Sequence, residues 1–168
     1  FKPFDRTDKR TISPQDANNL AESNWFMDAM ETGFFPYTDA ELFSPEQLGS
    51  QDVVSLLGKI DYVAFDYYYR FRSLQQFLNS TKPWLMEIYP QGLYDVLMNY
   101  HRKHHKPMII AENGIGLYNN EPRQDGWTRE ANIVQHVHQM HRAMKDGAKV
   151  LGYYHWSITD NYEWGEFH

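Results

Sequence analysis

The sequence predicts an α/β fold with a parallel sheet, and three observations carry that reading. Residues 62–65 and 108–111 are short apolar runs without the in-and-out alternation of a half-solvated strand, as strands covered on both faces read. Residues 149–156 form a third run, rich in Val, Leu, Tyr and Trp. Between the runs lie stretches with a 3.6-residue apolar period, so strand and helix alternate as in β/α units joined by right-handed crossovers.

Taken in order, Ser13 is a good N-cap, with Pro14 at the first helical position and Asp16 three residues after the cap. Ala17, Leu20, Ala21 and Met27 then share one stripe, and the helix ends near Gly33. From 34 to 59 the pattern is irregular, broken by Pro36, Pro45, Gly49 and Gly58, which predicts a long connection. The first strand follows at 62–65, then a polar loop that includes 79–81. Pro90 opens a second helix with Leu93, Val96, Leu97 and Tyr100 on one face, and Pro107 punctuates its end. The second strand at 108–111 stops at Glu112, Asn113 and Gly114. Thr128 caps a third helix in which Ile133, Val137, Met140 and Met144 align before Gly147 stops it. The third strand then runs to Trp156. Three strands are too few for a closed (β/α)8 barrel, which needs eight and about 250 residues; if this is a barrel, it is incomplete.

Composition narrows the function. At 168 residues, with 42% hydrophobic and 23% charged residues, the chain is about one domain and neither disordered nor collagen-like. Sixteen Lys and Arg against 22 Asp and Glu leave a net charge of -6, the wrong sign for a nucleic-acid binder. The absence of Cys excludes disulfides and thiolate metal sites. The apolar runs fall well short of the roughly 20 residues of a membrane helix, so no membrane partner is expected. The compositional excess is aromatic, with 10 Phe, 12 Tyr and 5 Trp. Rings with a polar edge serve either a packed core or a surface for half-polar ligands such as sugars.

Position bears on that choice. Asp66, Tyr67, Tyr68 and Tyr69 follow the first strand, Glu112 and Asn113 the second, and the segment 156–164 the third. In parallel β/α architectures ligands bind at the carboxyl ends of the strands, where these three groups converge. Glu112 reads either as a carboxylate held at a cavity mouth or as the first residue of a surface loop.

The motifs around these positions resemble glycoside hydrolase family 1, the β-glycosidases. Residues 109–116, I-I-A-E-N-G-I-G, are similar to that family's nucleophile motif [I/V]-T-E-N-G. Residues 152–164, G-Y-Y-H-W-S-I-T-D-N-Y-E-W, resemble its G-Y-x-x-W-S-x-x-D-N-x-E-W segment over many ordered positions. Residues 87–94 follow E-x-Y-P-x-G-L-Y, and residues 65–68 its strand-end G-x-N-Y-Y. The resemblance spans nearly the whole chain.

It implies a (β/α)8 TIM barrel of which residues 1–168 supply about the fifth to eighth β/α units, one C-terminal part of a single glycosidase domain. It implies a retaining β-glycosidase acting on a terminal non-reducing β-glucoside or β-galactoside, with Glu112 as nucleophile and Tyr68 donating a hydrogen bond that orients it. Trp156, Glu163 and Trp164 match the residues of the non-reducing sugar subsite, and the peptide between Trp156 and Ser157 is expected to be cis. No cofactor or metal is implied. The partners expected are a β-glycoside, small or oligosaccharide, and the remainder of the barrel in the same or another chain; a cytoplasmic location is expected, although a signal peptide can precede Phe1.

Departures from the family pattern shape these expectations. The acid/base motif N-E-P occurs only at 120–122, on the loop after Glu112, where it reads as a coincidental surface turn. The acid/base is therefore expected from outside these residues, and the 168-residue chain alone is expected to be inactive. Asp66 replaces the usual Asn and brings a second carboxylate near Glu112, where like charges disfavour one another. Met86 stands where many members carry a Trp platform for the leaving group, with Trp84 as a substitute two residues earlier. The intact D-N-x-E-W end favours an unphosphorylated sugar. The rival reading is a non-catalytic carbohydrate-binding or barrel-assembly fragment. His101, His104 and His105, and His138 and His141, read as solvated helix faces rather than metal ligands, since no carboxylate or Cys completes either set. Gly114 and Gly116 lack the third Gly and the helix of a dinucleotide loop, and 79–81 fits a glycosylation sequon without evidence of secretion.

Overall fold

A computed structural model of the protein describes residues 58–80, 82–118, 121–163 and 165–167. The chain divides into two compact units, Phe1–Lys59 and Ile60–His168, and nearly all of the described residues belong to the second. The helix expected from Ser13 and nearly all of the 34–59 connection lie outside the described residues.

Strand β1 (Val63–Asp66) is followed by a short helix α1 (Leu74–Asn79) and a single 3-10 turn (Pro83–Leu85). Then come α2 (Pro90–His104), β2 (Met108–Asn113), α3 (Arg129–Lys145) and β3 (Val150–His155). Two-residue strands β4 (Tyr162–Glu163) and β5 (Glu166–Phe167) pair antiparallel. The sheet order is β1-β2-β3, with both pairings parallel. Each parallel step crosses over through a helix, and two right-handed crossovers moving in the same direction place α2 and α3 on the same side.

The helix ends follow the local chemistry. Pro90 opens α2 at its first turn. The helix closes through His105 in the left-handed conformation, φ 53°, with Pro107 two residues on. Thr128 caps α3, its hydroxyl accepting from the Ala131 N–H at 3.2 Å. At the other end Gly147, φ +104°, makes a Schellman stop: the Ala148 N–H reaches the Ala143 carbonyl at 2.9 Å and the Gly147 N–H that of Met144 at 3.2 Å.

The core centres on Leu93 and Leu97 of α2 and Met108 and Ile110 of β2, all fully buried. Each such side chain contributes about 1.5–3 kcal/mol by leaving water. Two expectations shift. On α3 the deeply buried residues are Asn132, His136 and Ala143, while the predicted stripe of Ile133, Val137 and Met140 is half-buried and Met144 exposed. The buried face of the helix is thus offset by about one residue from its apolar stripe. On the strands, Ala64, Leu151 and Tyr154 are exposed, so two-sided cover does not extend to them among the described residues.

Candidate active site

The carboxyl ends of the strands are tied into one unit. A register shift between Phe65 and Asp66 brings Asp66 alongside Glu112, and the Tyr67 N–H donates to the Glu112 carbonyl at 2.9 Å. From the third strand, the Trp156 N–H donates to the Asn113 carbonyl at 2.9 Å. Gly114 permits that approach, since a Cβ built there would lie 1.7 Å from the Trp156 carbonyl oxygen. Only a residue without a side chain fits.

Within this frame Tyr68 Oη donates to Glu112 Oε2 at 2.7 Å. Both residues are half-buried, and Tyr69 stacks on the Tyr68 ring with centroids 5.7 Å apart. Burial pushes the Tyr68 phenol well above its ordinary range, and its hydrogen bond to Glu112 pushes it further, so it remains a donor at any working pH. Desolvation and then the charge of Glu112 raise the Asp66 carboxyl. The repulsion expected between the two carboxylates thus registers on Asp66.

Asn113 and Tyr153 had no site role in the sequence reading. Asn113 is fully buried; its Nδ2 donates to the Tyr67 carbonyl at 2.6 Å, and its Oδ1 accepts from Tyr153 Oη at 2.7 Å. Tyr67 Oη in turn donates to the Tyr89 carbonyl at 2.6 Å. A Tyr inside a strand carries no one-dimensional sign of such a bond, and Asn after Glu reads as a turn residue.

The loop after β2 is packed rather than loose. Ile88, Ile115 and Leu117 are buried together against Tyr69 and Trp127. Arg123 donates to the carbonyls of Trp84, Leu85 and Met86 at 2.7, 3.1 and 3.0 Å. Trp84 is 4% exposed and its Nε1 donates to Tyr118 Oη at 3.1 Å. The expectation that Trp84 substitutes for a leaving-group platform is therefore corrected: the indole is spent in packing, and Met86 is the half-buried residue of that turn. Glu87 binds Arg70 through two hydrogen bonds, at 3.0 and 2.5 Å, and this pairing holds its carboxyl below the usual range.

The segment after β3 is different in kind. The Trp156–Ser157 peptide is cis. The Trp156 side chain is 40% exposed, Ile158 94% and Tyr162 62%. Ser157 Oγ donates to the Thr159 carbonyl at 2.6 Å and lies 3.1 Å from the Asn161 side chain, and Arg129 pairs with Asp160. Glu163 lies in β4 opposite Glu166, its side-chain placement outside the described structure; Trp164 lies outside the described residues altogether. Of the expected N-E-P letters, Asn120 also lies outside, while Glu121 and Pro122 are exposed and the Glu121 N–H closes a turn on Tyr118. Among the described residues, no group of three or more His, Cys, Asp or Glu is placed to hold a metal ion, and no helix is long and apolar enough to cross a membrane.

Comparison with known proteins now decides the family. A model of glycosyl hydrolase family 1 matches residues 72–167. The chain belongs to that family. Among relatives of glycosyl hydrolase family 1, a β-galactosidase of Saccharolobus solfataricus is 30% identical over 98% of this chain and 34% of its own length. A β-glucosidase A of Acetivibrio thermocellus is 30% identical over 83% of this chain and 36% of its own. Among solved structures, a family 1 β-glucosidase from Thermotoga maritima superposes with a TM-score of 0.62 at 25% identity, over 86% of this chain and 36% of that one. The chain thus spans about a third of the length of these family 1 relatives.

Proposed function

We propose that residues 1–168 supply about the fifth to eighth β/α units of a (β/α)8 barrel, and that this barrel is a retaining β-glycosidase with Glu112 as its nucleophile. The observation that carries the reading is the 2.7 Å hydrogen bond from Tyr68 to Glu112 at the carboxyl end of a parallel sheet, inside a family of glycosyl hydrolases. Retaining enzymes set two carboxyl groups about 5–5.5 Å apart. Ionised Glu112 attacks the anomeric carbon and bonds to it as the glycosidic bond breaks, while the second carboxyl protonates the leaving oxygen. That second group then takes a proton from water, the water attacks the same carbon, and Glu112 leaves as the carboxylate. The acid/base belongs to the part of the barrel beyond these residues, so the isolated chain does not turn over.

Tyr68 holds Glu112 in line and stabilises its charge through the donated hydrogen bond. Trp156, Glu163 and Trp164 match the family's residues for the non-reducing sugar, indoles for its faces and a carboxylate to accept from its hydroxyls. The relatives named β-galactosidase and β-glucosidase support a terminal β-galactoside or β-glucoside as substrate. The Thermotoga maritima enzyme in complex with glucoimidazole and with deoxynojirimycin supports a sugar-sized ligand. The test is a 2-deoxy-2-fluoro-glycoside trap on the full polypeptide that carries these residues, followed by peptide mass spectrometry. Label on Glu112 is the expected result; sugar binding with no label on Glu112 would favour a non-catalytic carbohydrate-binding fragment.

A further inference from the structure

One residue beside the site is held at every polar atom it has. Tyr67 donates its N–H to the Glu112 carbonyl, accepts at its carbonyl from Asn113 Nδ2, and donates its hydroxyl to the Tyr89 carbonyl. It is the residue immediately before Tyr68, whose ring reaches the Glu112 carboxylate. The orientation of the Asn113 amide is dictated by its partners. The Tyr67 carbonyl only accepts, so Nδ2 faces it; Oδ1 then faces the Tyr153 hydroxyl, which donates. Asn113 is fully buried, so losing either partner leaves an amide group unsatisfied away from water.

From this geometry we propose that Asn113, locked by Tyr153, is a positioning residue: it fixes the Tyr67 peptide so that Tyr68 stays in hydrogen-bond reach of Glu112. The inference rests on Glu112 being the reacting carboxylate. Consecutive Cα atoms are only about 3.8 Å apart, so rotation of the Tyr67 peptide swings the Tyr68 ring directly. Three elements converge on the lever: the segment after β1 carries Tyr67 and Tyr68, β2 carries Glu112 and Asn113, and β3 supplies Tyr153. Burial pushes the Tyr153 phenol up to about 12, which keeps its proton in place as the lock. A tie that merely joined strand ends would be served by the Trp156 N–H to Asn113 carbonyl bond alone; the amide side chain adds control of the Tyr67 carbonyl.

The test uses Tyr153→Phe and Asn113→Ala in the full polypeptide, with tyrosines labelled with carbon-13 at Cζ and the Tyr68 signal assigned by Tyr68→Phe. In the unmutated protein burial and the hydrogen bond to Glu112 are expected to keep the Tyr68 phenol protonated above the ordinary tyrosine range. In both variants its titration is expected to fall by about one pH unit or more, because the hydrogen bond to Glu112 is lost part of the time. The rate constant for trapping Glu112 by a 2-deoxy-2-fluoro glycoside is expected to fall about tenfold at unchanged affinity for the trap. A purely structural tie would lower the melting temperature and leave the Tyr68 titration in place, and that result in Tyr153→Phe overturns the proposal. If Asn113→Ala does not fold, Tyr153→Phe decides, since it removes a single oxygen and keeps the half-buried ring. If the unmutated protein takes no label on Glu112, the glycosidase reading fails while the Tyr68 titration still judges the lever.

Discussion

The strand ends of β2 and β3 carry comparable sequence motifs and are built in opposite ways. After β2, residues 113–117 are all buried, Gly114 is pressed against the Trp156 carbonyl, and Arg123 pins the returning loop onto three carbonyls of the 83–87 turn. After β3, Trp156, Ile158 and Tyr162 stand well exposed, and the hydrogen bonds of Ser157 stay within four residues. The chain's own packing over-determines where Glu112 sits. The aromatic side, by contrast, is open to solvent among the described residues.

This contrast can be broken or sharpened by experiment. Glu112→Gln should lower glycoside hydrolysis by the full polypeptide by about 10⁴-fold or more, as removal of a nucleophile does elsewhere; steady-state assays that found less than a tenfold loss would move the nucleophile to another residue. Gly114→Ala should destabilise the fold by about 3 kcal/mol or more, because backbone and not a flexible side chain must yield. Urea denaturation measures it, and a neutral result would mean that the β2 end is looser than its contacts imply. Tyr68→Phe should slow trapping of Glu112 by about ten- to a hundredfold with little change in unfolding midpoint.

Trp156→Ala, by contrast, should cost about 1 kcal/mol or less in stability while weakening binding of a β-glycoside inhibitor, read by calorimetry. A large loss of stability would erase the difference between the two ends. The smallest effect is on pH. Burial lowers the pKa of His136, whose ring lies 5.7 Å from that of Tyr67 and whose Nδ1 bonds the Asn132 carbonyl at 2.8 Å. A histidine with its folded pKa depressed stays neutral while the unfolded chain protonates, so its stabilisation is present above about pH 6.5 and is lost as the pH falls. His155 is lowered by burial as well, in the same direction. His136→Gln should therefore flatten part of the acid-side fall in unfolding free energy, measured by denaturant titration across that range.

How much was legible depends on how local each signal is. The strand at 108–111 and the helix from Thr128 to Gly147 were readable because an unbroken apolar run, a side-chain cap and a glycine stop are all short-range features. Glu112 and Tyr68, and the hydrogen bond between them, were singled out through the family motifs. The buried faces were less readable. Asn132 and His136, buried on α3, are polar, and no hydropathy period points to them. Trp84 looked like a free platform because exposure is not written in a residue's type.

By itself, the order of residues determined the alternation of strands and helices, the placement of acids and rings at strand ends, and the family likeness, since all of these depend on neighbours within a few positions or on fixed motif spacing. Only the tertiary structure decided that Asn113 joins Tyr67 to Tyr153 and that Gly114 has no room for a Cβ. Those facts join residues about 40 positions apart. They arise when three parallel strands are brought into register, a step no local pattern encodes.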